Sequence, residues 1–180
     1  KQIEVQQQEV LRKTQELETA FKADFLESLL YGKTVSGEVR GAWKGNLLKI
    51  AGLRLRGPGL ELEGKGVLQE KLSLQGQVSD LSQLLPGSQG RISASGWLRY
   101  REDRLAAGGK AESKEFRVRE ARIGDLRADL QLKEYGPGIS PVLSLEAHAG
   151  RVEAGPAHVS AARIQAGGSP AAHRARLAAV

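Results

Sequence analysis

The sequence predicts a mainly β chain: an elongated, curved antiparallel sheet with one apolar face, preceded by an amphipathic helix. Three observations carry this. Between residues 72 and 100 the side chains alternate. Leu72, Leu74 and Val78, then Ile92, Ala94, Leu98 and Tyr100, fall on one side, and Ser73, Gln75, Gln77 and Ser79, then Arg91, Ser93, Ser95 and Arg99, fall on the other. Successive strand residues point to opposite faces, so each run has a dry side and a wet side. The 22 glycines are spread at turn-like intervals rather than gathered in one tract. Hydrophobic residues make up 40% of the chain but aromatics only 4%, so the apolar side is built from Leu, Val, Ile and Ala, which suits a long thin sheet better than a thick core.

Taken in order, residues 1–32 differ from the rest. They hold no proline and no glycine before Gly32; Ile3, Val10 and Leu17 repeat every seven residues, and Leu17, Phe21, Phe25 and Leu29 step by four. This spacing predicts an amphipathic helix over 1–31, ended at Gly32. The helix could pack on the adjacent sheet, lie over its apolar face as a lid, meet a partner helix, or rest on a membrane surface. The excess of Glu and Gln on its polar side disfavours the last. Residues 33–180 form the β domain. Val35, Val39 and Trp43 open it. Arg54 and Arg56 alternate with Leu53 and Leu55, and Glu61 and Glu63 with Leu60 and Leu62. A hairpin through Gly57-Pro58-Gly59 would set these opposite charges against each other, each pair contributing roughly 0.2–1 kcal/mol. In the bend between residues 80 and 90, Asp80 is placed to cap one helical turn and Pro86-Gly87 to end it. After a charged turn at residues 101–103, a strand runs from about Leu105 to Ala111, and Phe116 and Val118 continue its apolar side. Leu126, Ala128, Leu130 and Leu132 alternate with Arg127, Asp129, Gln131 and Lys133; Gly136-Pro137-Gly138 is a break. Leu143, Leu145, Ala147 and Ala149 then face inward, Val159 and Ile164 mark another strand, and Ala175 and Leu177 a last one.

Roughly ten to twelve strands joined by short turns must pair antiparallel with their neighbours. At about 4.8 Å per strand, such a sheet spans about 50 Å. Its apolar face must be hidden in a sandwich, a barrel, or a curl that forms an open U-shaped trough. The scarcity of aromatics and the uniform pattern favour the trough.

The net charge is +6, but Arg and Lys are interleaved with Glu and Asp, which reads as a solvated strand face rather than an anion-binding patch. Nor do stacking aromatics alternate with the basic residues, so no nucleic-acid partner is expected. With no cysteine, disulfides and thiolate metal sites are excluded. His148, His158 and His173 have no partner at ligand spacing; no serine sits in a nucleophile elbow, no carboxylate pair lies on an apolar face, and the Gly-Lys pairs lack a P-loop context. The expectation is a non-enzymatic chain with no metal and no cofactor. No apolar run reaches the ~18 residues of a membrane span, and no signal-peptide pattern is present. The chain is expected to be a fragment of a longer protein, with targeting signals outside it.

Three stretches, DLSQLLPGSQGRISASGWLRY, GDLRADLQL and GSPAAHRARLAAV, resemble the recurring module of the TamB family, the inner-membrane component of the translocation and assembly module of Gram-negative envelopes. Asp80, Leu81, Leu85, Pro86 and Gly90 match the family's bend, and Gly168, Ser169 and His173 its closing strand. The likeness covers residues 72–180, is looser over 34–71, and leaves the N-terminal helix unassigned. It implies a periplasmic β-groove, or β-taco, in an inner-membrane-anchored protein. Its lining would hold phospholipid acyl chains, and its protein partner would be an Omp85-type outer-membrane barrel. On this expectation the groove is lined by Ile92, Leu98, Phe116, Val118, Leu126, Leu130, Leu132, Leu143 and Leu145. The alternatives are a scaffold that binds the barrel partner for outer-membrane protein assembly, and a closed structural β-sandwich.

Overall fold

The computed structural model describes residues 18–30, 33–169 and 172–179. They form one open antiparallel sheet of fourteen strands that does not close into a barrel. In chain order the strands are β1 (Glu18–Leu30), β2 (Lys33–Lys44), β3 (Leu47–Gly57), β4 (Leu60–Val67), β5 (Lys71–Val78), β6 (Ser88–Gly90), β7 (Ile92–Arg101), β8 (Arg104–Val118), β9 (Ala121–Tyr135), β10 (Val142–Ala149), β11 (Arg151–Ala154), β12 (Ala157–Val159), β13 (Ala162–Ser169) and β14 (Ala172–Ala179). Eleven of them lie side by side in the order β1-β2-β3-β4-β5-β7-β8-β9-β10-β13-β14; β6 adds to β8, and β11 pairs with β9 and β12.

The helix expected over residues 1–31 is corrected where the chain is described. Glu18–Leu30 is a strand, antiparallel to β2, with Phe21 opposite Gly41 and Phe25 opposite Gly37. A step of four residues is one helical turn, but it is also two strand repeats, so Leu17, Phe21, Phe25 and Leu29 fit either. The open edge of β2 decides, because pairing satisfies its row of N–H and C=O groups. Residues 1–17, 31 and 32 lie outside the described residues.

The local turn chemistry follows the sequence closely. Gly57-Pro58-Gly59 joins β3 to β4, with Gly59 at φ 70°. Across that hairpin Arg54 Nε meets Glu63 at 2.9 Å and Arg56 Nε meets Glu61 at 3.8 Å. The bend after β5 is one 3-10 turn, Leu81–Gln83; Asp80 caps it, accepting from Ser82 N at 3.0 Å and Ser82 Oγ at 2.7 Å. Ser88, 1% exposed, anchors the bend's far side, with its hydroxyl 3.1 Å from the Leu81 carbonyl. Between β7 and β8, Glu102 (φ 52°) and Asp103 (φ 57°) make a tight turn in the left-handed region. Asp103 also accepts from Tyr100 Oη at 2.9 Å. Buried apolar residues are scattered: Val35, Ile50, Leu72, Leu81 and Ala106.

Candidate functional site

The register stacks apolar residues into rows that cross the sheet. From β3 to β14 one row reads Leu53, Gly64, Leu74, Gly96, Gly109, Leu130, Leu145, Ala166, Ala175. A second, from β5 to β13, reads Leu72, Leu98, Ala107, Leu132, Leu143, Gly168, and a third, from β5 to β14, reads Gly76, Ala94, Ala111, Ala128, Ala147, Ile164, Leu177. Small residues therefore coincide on two adjacent strands: Ala94 and Gly96 on β7, and Ala107, Gly109 and Ala111 on β8. Gly96 and Gly109 lie so close that a Cβ on Gly96 would come within 2.8 Å of the Gly108 carbonyl. The result is a furrow running along the strands. Its walls are Leu72 and Leu74 on β5 and Leu130 and Leu132 on β9, strands about 14 Å apart at three inter-strand spacings. Leu98 rises at one end. Beyond it, in the same alternation, Tyr100 borders a hollow of about 790 Å³ with Leu105, Tyr135, Pro137 and Ile139.

Beyond the furrow this face stays open. Leu130, Leu143, Ile164 and Leu177 are 49%, 46%, 43% and 72% exposed. Of the residues expected to line a groove, Leu98, Leu130, Leu132, Leu143 and Leu145 share these rows. Ile92 extends them opposite Val78, and Leu126 sits opposite Ser113. Phe116 and Val118 stand apart. They pair with Gly90 and Ser88 of β6 and with Ile123 and Ala121 of β9. The register slips on the way: the step from Gly90 to Ser93 spans three residues, but their partners, Phe116 and Glu112, are four apart. Alternation counted from Ala107 therefore cannot be carried through to Phe116.

The opposite face is polar. Its rows carry ion pairs, among them Arg40–Glu38 at 3.0 Å and Arg122–Glu115 at 2.7 Å. The Arg122 hydrogen bond holds the Glu115 carboxyl below its ordinary value. Hydrogen bonds from His148 and Arg163 do the same for Glu146. His148, His158 and His173 are exposed, and among the described residues no group of His, Asp and Glu is arranged to hold a metal ion. No described helix is long and apolar enough to cross a membrane. A trough of about 920 Å³ lies on this polar face, and Trp97 lines it. Sequence reasoning passed over Trp97 because it sought apolar residues on the leucine side. Its odd number, in phase with Ser95 and Arg99, was the available signal.

Comparison with known proteins gives no matching family model, no matching curated protein and no matching solved structure.

Proposed function

We propose that this chain is a non-enzymatic lipid-transfer module whose apolar face shields phospholipid acyl chains from water. The observation that carries this reading is the small-residue furrow between the leucines of β5 and β9, on a face that no described element covers. Each methylene moved from water onto such a surface gains about 0.8 kcal/mol. A floor of Ala and Gly offers contact without a deep pocket, so a chain could slide along it. The amphipathic Tyr100 and Tyr135 at the furrow's end suit the boundary between tail and headgroup. The resemblance to the TamB family extends this proposal to a U-shaped groove in the periplasm, within an inner-membrane-anchored protein that works with an Omp85-type barrel.

Photocrosslinkers at Leu130 and Leu98 test it. Lipid adducts at both positions are expected. Adducts to protein alone would instead support a scaffold, a reading favoured by β14, which pairs only with β13 among the described strands and whose residues are all exposed. Such an edge can accept an added strand.

A further inference from the structure

The polar trough has a construction that the leucine face does not explain. Trp97 projects from β7, and its indole leans across β8 onto Gly108: a Cβ there would meet Nε1 at 2.7 Å and Cε2 at 3.0 Å. Only a residue without a side chain lets the ring settle there, with its remaining surface toward the trough. Around it the register sets Ser73 and Lys65 on one side and Gln131 on the other, with Ser95 two residues back on β7 and Lys110 opposite Ser95 on β8.

The charges are uneven. Glu38 and Glu63 are matched by Arg40 and Arg54 at 3.0 and 2.9 Å. Lys65, Lys71 and Lys110 also line the trough, and none of the three has an ion-pair partner among the described residues. Asp129 is the one carboxylate set against them. The trough is long, reaching from β2 to β9.

We propose that this trough binds an extended oligosaccharide carrying carboxylate groups. The negative face of an indole attracts the polarised C–H groups of a sugar ring. Sugar hydroxyls both donate and accept, and the trough supplies both functions: acceptors on Glu63, Asp129 and the amides, donors on the lysines and the same amides. A nucleic-acid backbone offers phosphate oxygens that only accept, which leaves the acceptors on Glu63 and Asp129 unmet, and one indole gives no succession of stacking platforms for bases. The surplus lysines select an acidic sugar over a neutral one, with a salt dependence to match.

The test uses the full chain with Trp43→Phe, so that Trp97 is the sole indole. Titration with hexagalacturonate should shift its fluorescence saturably, and maltohexaose should bind several-fold more weakly. By calorimetry, Trp97→Ala should weaken hexagalacturonate binding by at least about tenfold, or 1.4 kcal/mol. The paired change Lys65→Gln and Lys110→Gln, on surface side chains that leave the fold intact, should remove the preference for the acidic sugar and its salt dependence. Fatty-acid binding on the opposite face should be unchanged in every variant, which separates this inference from the lipid reading. No saturable response to hexagalacturonate, unaltered binding by Trp97→Ala, equal affinity for maltohexaose, or tighter binding of an oligodeoxythymidylate would each overturn it.

Discussion

Ile50, Leu53, Leu72 and Leu74 of β3–β5 and Leu130, Leu145, Ile164 and Leu177 of β9–β14 share one face, yet they are buried to different depths. Ile50 and Leu72 are 8% and 7% exposed, whereas Leu130 and Leu177 are 49% and 72%. What differs is how neighbouring strands fit. In the first region Leu74 leans over Gly64, so that a Cβ there would meet its Cδ2 at 2.7 Å, and Leu62 leans over Gly76, with the corresponding distance 3.3 Å. In the second region Leu130 faces Gly109, but what a Cβ on Gly109 would meet is backbone, the Ser95 carbonyl at 3.1 Å. Leu145 lies between Leu130 and Ala166, and Leu177, on the last described strand, has only Ile164 opposite it, so neither has a glycine across from it. A one-layer sheet can thus build a local core only where a branched side chain lies across a bare backbone next door. Elsewhere the same composition leaves grease in reach of solvent or ligand.

The comparison can be broken most strongly at Leu72. Leu72→Ala is expected to cost about 2–4 kcal/mol in urea unfolding, while Leu177→Ala should stay within about 0.5 kcal/mol. Equal costs would dissolve the distinction between the two regions. Gly64→Val should follow at about 1–3 kcal/mol, since its methyls must displace Leu74 or Leu53. To sharpen the contrast, Leu130→Ser with Leu143→Ser should leave the unfolding midpoint nearly unchanged yet lower the affinity for a fluorescent fatty acid severalfold. An unchanged affinity would remove the distal leucines from the lipid surface.

The smallest effect is electrostatic. Hydrogen bonds from the Ser82 and Gln83 side chains and from the Ser82 backbone amide hold Asp80 below its ordinary value, as His148 and Arg163 do for Glu146. A depressed folded-state pKa stabilises above the unfolded value and loses that contribution as pH falls through the folded one. Both contributions should therefore be full above about pH 4 and fade below it. Asp80→Asn should flatten the part that belongs to the bend, read from unfolding midpoints at pH 5 and pH 3.

Much of this was legible in the residues. Period two marked the strands, the Arg and Glu spacing foretold the β3–β4 ion pairs, and Asp80 announced its cap. Three things were hidden, each for a physical reason. The Phe21 to Leu29 spacing fits both a helix and a strand, and only the waiting edge of β2 resolves it. The phase of Phe116 and Val118 is lost at a register slip that depends on strand pairing, not on local pattern. The seat of Trp97 depends on Gly108, a residue eleven positions away that comes beside it only through the register of β7 and β8.

Because strand order nearly follows chain order, the molecule has no centre. Each strand draws its stability from the ones beside it, as in an array of stacked repeats, and the whole is close to a sum of nearest-neighbour terms. Folding can begin at any hairpin and zip outward in both directions. Damage stays where it falls, and hairpins can be added or lost at the ends without redesigning what lies between. Even the short strands keep to this order: β6 leads into β7 along one edge of β8, and β11 continues β10 along one edge of β9.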